Sequence, residues 1–479
     1  MMQSLISLYK LSYPRSLVYM LQSSEYVVKP YLIWVWRTND FSKVMNRRTL
    51  VYTRAARLLL LALRLGILLQ ILIGVLFIYL GAKNSLAGGV VFGIALIISY
   101  PFVWAYLLIL PLILGRYFIN GPKSLREIEE SKQIFANHPG IKIAVAGSYG
   151  KTTMKELLTS VLSEKLVVAS TPANKNVSLS HAKFATKLKG NEDVLVIEYG
   201  EGEPGDVARF ASITAPTHGV ITGLAPAHLD KYHSMQEAGE DIFSLADYLK
   251  NKNVFVNTDS QSVNPFIKED FELFNHKEAL GWKISGIKVD INGTSFEMKK
   301  DSQILKLRSA VVGRHQVGYL AFASAFALRL GLSKEQVVAA ISKTKPFEHR
   351  LQPYKLADAW VIDDTYNGNL EGIRAGTQLL KDLSAKRKIY ITPGLVDQGV
   401  ENENVHIEIG KLIADASPDS VVLMKNSVTK YIREGLKIGK YSGKLSIEAD
   451  PLTFYTNLNH FVASGDLVVM QNDWPDNYI

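Results

Sequence analysis

There is no cysteine anywhere in the 479 residues. Disulfides, thiolate metal sites and cysteine nucleophiles are therefore excluded, which suits a reducing compartment. Acid is nearly missing from the first 57 residues. Glu25 and Asp40 stand there against Lys10, Arg15, Lys29, Arg37, Lys43, Arg47, Arg48, Arg54 and Arg57. That segment carries +7 of the formal net charge of +9 and leaves +2 for the rest. Basicity so local does not describe a nucleic-acid-binding protein, and no nucleic-acid partner is expected. Internal repeats and low-complexity tracts are missing as well.

Charge itself is missing from two long runs. Residues 65–82 have no charged side chain and would extend about 27 Å as a helix, close to the thickness of a bilayer core. Residues 86–115 are again uncharged, with Pro101 and Pro111 inside and Trp104 and Tyr106 toward the far end, and Arg116 closes the run. Only Lys83, Asn84 and Ser85 separate the two. This pattern predicts a transmembrane helical hairpin with both flanks on one side. The arginines before it, with Arg116 and Lys123 after it, place leader and main body in the cytoplasm under the positive-inside rule. A buried hairpin of a soluble domain is the alternative. The apolar run starts too late for a cleavable signal peptide. The leader, with Tyr26, Tyr31, Trp34 and Trp36 among its basic residues, reads either as lying along an anionic membrane surface or as a solvated, partly helical arm.

After residue 120 strands and helices alternate, and the expected fold class is doubly wound α/β. Strand-like runs are 141–146, 194–198, 219–222, 254–257, 360–363, 388–392, 420–424 and 466–470. Helical stretches include 154–162, 319–332, 334–342 and 406–416. Residues 280–312 are more polar and strand-prone, consistent with a small β insertion. A domain joint is expected near Lys345-Pro346.

The stretch Ala146-Gly-Ser-Tyr-Gly-Lys-Thr-Thr153 follows the first of these strands and opens a helix. Strand, glycine turn, lysine, helix is the layout of a phosphate cradle. Gly147 and Gly150 let backbone N–H groups approach phosphate oxygens, Lys151 adds a point charge, and Thr152 or Thr153 reaches a magnesium ion. Only two residues separate these glycines, where the common phosphate loop has four. Glu198 ends an apolar strand and can hold magnesium beside a nucleotide, since ligands of open α/β sheets sit at the carboxyl ends of strands. His228 is a candidate second metal ligand or orienting group. Asn257-Thr-Asp259 ends another strand and can contact nucleotide. The Asp363-Asp-Thr-Tyr-Asn-Gly-Asn369 stretch offers paired acids for a ribose or a cation, although such residues also build plain turns.

Gly147-Ser148-Tyr-Gly150-Lys-Thr-Thr153, Glu198-Tyr-Gly200, Ala227-His228-Leu229, Asn257-x-Asp259, Gly313-Arg-His315, His349-Arg350 and Asp364-Thr-Tyr366-Asn367 stand in the order seen in the Mur ligases. Over roughly residues 140–479 the chain resembles that family, most of all its D-alanyl-D-alanine-adding branch. The resemblance implies ATP and Mg2+ in a central domain, 119–345, under a C-terminal Rossmann-like domain, 346–479. The basic leader, 1–56, and the transmembrane hairpin, 57–118, precede them. It implies that Lys151 and the backbone of 147–152 hold the β- and γ-phosphates. Thr152 and Glu198 would bind a first magnesium, and His228 a second. Asn257 and His315 would lie near the base, Arg350 would reach the γ-phosphate, and Asp364 would bind ribose. Asn174, Asn176, Tyr366 and Asn367 would face the substrates.

The implied reaction is amide-bond formation through an acyl phosphate in peptidoglycan precursor synthesis. The partners would be a muramoyl-peptide acceptor, UDP- or lipid-linked, and an amino acid or dipeptide. Another amide ligase of the superfamily, of the polyglutamate-synthase type, or a membrane-tethered nucleotide-binding scaffold or ATPase are the alternatives. The chain departs from the family in places. Leader and hairpin stand where a UDP-sugar-binding domain is usual. Val177 and Ser180 break the asparagine motif after the Thr171-Pro172 turn. Residues 234–243 contain no lysine to be carbamylated, which leaves Glu237 or Glu240 as stand-ins. Gln316 replaces an asparagine, and Gln471-Asn-Asp-Trp-Pro475 replaces Lys-Gly-Ser-Arg.

Overall fold

The computed structural model describes residues 6–24, 26–38, 41, 44, 50–173, 175–225, 231–366, 368–395 and 398–472. The chain divides into two compact units, Met1–Leu125 with Pro475–Ile479, and Arg126–Trp474.

The first unit is helical: α1 (Tyr13–Ser23), α2 (Val28–Arg37), α3 (Arg54–Lys83) and α4 (Ala87–Leu107). Thr53 caps α3, its side chain accepting from Ala56 N at 3.1 Å. The pair α3 and α4 forms the expected hairpin, turning at Asn84 and Ser85. Glycines set its closeness. A Cβ added at Gly93 would lie 2.5 Å from the carbonyl oxygen of Gly74, so the two backbones touch. Gln70 is satisfied inside the hairpin: it donates to Leu96 O at 2.8 Å and accepts from Trp104 Nε1 at 2.8 Å. By length and composition α3 and the helical stretch Ala87–Asn137 can each cross a membrane. Leu68, Leu72, Leu76, Phe92 and Ile98 face outward.

The leader differs from a solvated arm. Leu17, Val18, Met20 and Leu21 are fully buried in one core with Leu60, Leu63, Ala105 and Leu108 of the hairpin. Tyr13 and Tyr31 donate their hydroxyls to the carbonyls of Pro101 and Ala105 at 2.9 and 2.8 Å. Burying those leucines is what brings the leader onto the hairpin.

The second unit begins within α5 (Gly121–Asn137). Its first sheet is built from β1 (Ile141–Ala146), β2 (Val168–Ser170), β3 (Val194–Glu198), β4 (His218–Ile221), β5 (Val254–Asn257), β6 (Glu272–Phe274), β7 (Glu278–Ala279), β8 (Trp282–Asp290), β9 (Gly293–Lys300) and β10 (Gln303–Ser309), in the order β10-β9-β8-β7-β6-β5-β4-β1-β3-β2. Strands β1 to β6 pair in parallel, and β6 to β10 antiparallel. The polar stretch expected as a β insertion is this antiparallel extension. Helices α6 (Lys151–Leu162), α7 (Ser178–Ala185), α8 (Asp206–Thr214), α9 (Met235–Tyr248), α10 (Val317–Arg329) and α11 (Lys334–Ser342) belong with this sheet. Two hydrophobic cores flank it, so β1 and β3 read as near-continuous apolar runs.

The second sheet comprises β11 (Gln352–Leu356), β12 (Ala359–Asp364), β13 (Arg387–Thr392), β14 (Ser420–Met424), β15 (Lys444–Glu448) and β16 (Asp466–Gln471), ordered β11-β12-β16-β13-β14-β15. Only β11 is antiparallel. Helices α12 (Leu370–Asp382), α13 (Asn402–Ala416) and α14 (Thr429–Ile438) accompany it. The strand order of the first sheet reverses at β1, which lies between β3 and β4. A crevice opens at the carboxyl ends of strands around such a switch point.

Candidate active site

The loop leaving β1 sits in that crevice. Gly147 and Gly150 have φ of +140° and +75°, a region that favours glycine. A Cβ on Gly147 would come within 2.3 Å of Thr222 Oγ1, and one on Gly150 within 2.2 Å of the Tyr319 hydroxyl. Loop and neighbours therefore pack backbone to side chain, leaving the first N–H groups of α6 as donors for an anion. Lys151 opens α6. Its ammonium donates to Gly147 O at 2.5 Å and pairs with Glu201 at 2.6 Å.

Thr152 and Glu198 meet beside it. Thr152 Oγ1 lies 3.0 Å from Glu198 Oε1, which also accepts from Asn176 Nδ2 at 3.2 Å. Glu198 is 2% exposed, and its Oε2 has no hydrogen-bond partner; the nearest charge is Lys155 Nζ at 3.7 Å. Lys155 is fully buried and donates to the carbonyls of Thr171 and Ala173 at 2.9 and 2.6 Å. The Thr171 turn is thus tied to α6. Below Glu198, the buried ring of His181 donates from Nε2 to the Glu198 carbonyl at 2.9 Å. Desolvation holds that imidazole near a pKa of about 4, so it is neutral. A hard divalent cation fits the Thr152 hydroxyl and the unsatisfied Glu198 oxygen. Among the described residues no three of His, Cys, Asp or Glu converge into a closed cage, so such a cation would take water or substrate oxygens for its other ligands.

Across the crevice the second sheet contributes Arg350, Asp364 and Tyr366. Arg350 Nη2 donates to Thr152 Oγ1 at 3.1 Å, and its guanidinium lies 5.0 Å from the centre of the Tyr366 ring. Asp364 ends β12 and accepts from Leu351 N at 3.2 Å and from Gln471 Nε2 at 2.7 Å. Desolvation raises its carboxyl to about 6, against those two hydrogen bonds and the charge of Arg350. Gln471 is itself held by the Tyr390 hydroxyl at 2.6 Å.

Between these groups lies a cavity of about 440 Å³, lined among others by Tyr149, Asn257, His315, Arg350, Asp364 and Arg374. Its size suits a nucleotide. Asn257 donates to Thr222 O at 2.9 Å, and His315 is desolvated to a pKa of about 4, so it meets a ligand as a neutral ring.

Residues 145–327 match the sequence profile of the Mur ligase middle domain. Over that stretch the chain is similar to the Mur ligases. Over 351 residues it is 25% identical to the UDP-N-acetylmuramoyl-tripeptide–D-alanyl-D-alanine ligase of Escherichia coli strain K12, covering 69% of this chain and 73% of that one. The same ligase of Mycobacterium leprae is 26% identical, with 69% and 70% covered. Among solved structures, the MurF ligase of Thermotoga maritima in complex with ADP superposes with a TM-score of 0.64 at 20% identity, over 73% of this chain and 80% of that one.

Most of the described residues singled out from sequence lie together. Gly147, Ser148, Gly150, Lys151, Thr152 and Thr153 form the loop and first turn, Asn176 and Glu198 adjoin them, and Gly150, Thr153, Asn257, His315, Arg350, Asp364 and Tyr366 line the cavity. His228, Asn174 and Asn367 lie outside the described residues. Neither proposed carbamate stand-in is oriented by the phosphate loop. Glu237 accepts from His233 N, and Glu240 from Gln236. Sequence reading missed Glu201, Lys155 and Tyr319, and met Gln471 only as a departure from the family's motif. Lys155 lies one helical turn past Lys151, a spacing that reads equally well as a solvated face.

Proposed function

We propose that this chain is an ATP-dependent amide ligase that joins D-alanyl-D-alanine, or a similar amine, to the carboxyl of a muramoyl peptide in peptidoglycan precursor synthesis. The observation that carries the reading is the position of Thr152 Oγ1. It touches both the acid at the end of β3 and the arginine of the joint. Lys151 and the amides of 147–152 would hold the β- and γ-phosphates, with Thr152 and Glu198 on one magnesium and His228 on another. That metal would supply charge neutralisation on the transferring phosphoryl group. Arg350 would meet the γ-phosphate, Asn257 and His315 the base, and Asp364 the ribose. Asn174, Asn176, Tyr366 and Asn367 would lie toward the acyl and amine substrates. The substrate carboxylate attacks the γ-phosphate to give an acyl phosphate and ADP. The amine then displaces phosphate to leave the amide. Closure of the two α/β halves, 119–345 and 346–479, would keep water from the acyl phosphate.

The leader and hairpin, 1–118, favour an acceptor held at the membrane. Their outward leucines, isoleucines and phenylalanines would lie in the bilayer, with the catalytic unit cytoplasmic. The test is direct. Purified protein with ATP, Mg2+, UDP-muramoyl tripeptide and D-alanyl-D-alanine should give the ligated product by mass, and phosphate release should need both the acceptor and the amine. Phosphate release independent of both would favour a tethered ATPase instead. Lys151→Ala should abolish product while leaving the circular dichroism spectrum unchanged; near-normal turnover would remove the reading.

A further inference from the structure

We propose that Glu201 is a second cation-binding acid of the phosphate site, held on Lys151 until a nucleotide enters. The inference rests on the reading that Lys151 receives phosphate. Glu201 stands three residues past Glu198, with its side chain 4% exposed and Oε2 2.6 Å from Lys151 Nζ. Lys151 spends a second of its three donors on Gly147 O. The ammonium that should greet a polyphosphate is therefore already engaged by protein.

A nucleotide that takes Lys151 leaves Glu201 buried and beside several negative oxygens. Removing one partner of a buried ion pair is costly because the other charge loses its compensation. Among the described residues, three cations on neighbouring segments already have partners. Lys231 lies 3.6 Å from Glu203, Arg209 is paired with Asp206, and Lys155 is committed to two carbonyls and to Glu156 at 2.9 Å. A cation arriving with the nucleotide would relieve it. Consecutive residues, Lys151 and Thr152, hold Glu201 and Glu198 respectively, so both acids face the first turn of α6. One of the two already carries a buried oxygen with no hydrogen bond. Magnesium typically binds through one or two carboxylates together with substrate phosphates. Glu201 is thus a lock on Lys151 in the empty site and a ligand in the filled one.

The experiment uses the full chain in detergent micelles. ATP affinity is measured by calorimetry with and without Mg2+, and bound Mn2+ is counted by electron paramagnetic resonance, for the wild type, Glu201→Gln and Glu201→Asp. In the wild type the metal should tighten ATP binding by a factor in the usual coupling range of about 5–150. Glu201→Gln should bind metal-free ATP more tightly, show most of that coupling lost, and carry one Mn2+ fewer per ATP complex. Glu201→Asp should recover part of the coupling. Tighter metal-free binding with unchanged coupling and Mn2+ count would overturn the ligand role and leave only a lock. No change in any of these would overturn both roles. A wild type that does not bind ATP at all would instead sink the phosphate-site reading, and this inference with it.

Discussion

Arg350 donates to the hydroxyl of Thr152 at 3.1 Å across 198 residues of chain. This contact couples the joint before β11 to the first turn of α6. It also aims a delocalised charge at the place where the proposed reaction develops negative charge. The Tyr366 ring lies 5.0 Å from the guanidinium, within cation–π range.

Arg350→Lys should therefore fail to rescue. A lysine retains the charge but loses the fork and the stacking. Turnover should fall by about 10²-fold or more, the size of effect seen when one preorganised donor is removed from a developing anion. Steady-state kinetics would check this, with KM for ATP moving much less than kcat. Equal losses in both would mean that Arg350 only binds the ground state.

Lys155 offers a stability test. It is buried against Thr171 O, Ala173 O, Glu156 and, at 3.7 Å, Glu198. Lys155→Met should destabilise the catalytic unit by about 3 kcal/mol, since it leaves buried Glu198 less compensated. Adding Glu198→Gln to that variant should recover more than 1 kcal/mol, roughly the coupling of directly interacting residues. Chemical denaturation of the four proteins in the cycle measures it, and strict additivity would show that the two charges do not communicate.

Much of this architecture could be read before any coordinates. The β1, β3 and β14 runs are short, apolar and bounded by turn residues, so their ends were set by composition. The strands missed were β2, β6, β7, β11 and β15. Each is short or edge-like and carries exposed or half-exposed residues, which gives no apolar run to see. The charge-free runs announced the hairpin. The leader's fold was not legible, because Tyr13 and Tyr31 find their hydroxyl acceptors at Pro101 and Ala105, and Leu17 shares a core with Leu60 to Ile109, far along the chain. In the site, motif residues were visible through their spacing. The roles of Glu201 and Gln471 were not, since they arise from contacts with Lys151 and Asp364 rather than from a local pattern.

Asp364 gives a pH prediction. Its carboxyl is raised from 3.8 to about 6 on folding, chiefly by desolvation. Between those values the folded protein holds a proton that the unfolded chain has released, so stability falls as pH rises through this window. The full effect is roughly 3 kcal/mol at pH 7. Asp364→Asn should remove this dependence: the difference in unfolding free energy between wild type and variant should change in the variant's favour from pH 4 to pH 6.5 and then level off. A difference that is flat across that range would place the Asp364 pKa near its ordinary value.

The membrane prediction concerns the boundary between the two units. A chain beginning at Gly121 keeps α5 and every residue of the phosphate loop while discarding the apolar hairpin. It should stay in solution without detergent, because both hydrophobic cores around the first sheet are complete without residues 1–120. It should also bind ATP with near-wild-type affinity. The full chain should behave otherwise. Its α3 and α4 expose leucines, isoleucines and phenylalanines along uncharged runs, and burying such a surface in lipid is not reversed by ionic strength. Membranes from expressing cells should hold it through washes in about 1 M salt, where the Debye length is only about 3 Å, and release it to detergent. Release by salt alone would reduce the hairpin to a soluble element and leave the basic leader as a surface contact. The two chains also separate the acceptor classes. Equal turnover on a UDP-linked acceptor would make the hairpin an anchor. Turnover confined to the full chain in membranes would make residues 1–118 part of acceptor binding.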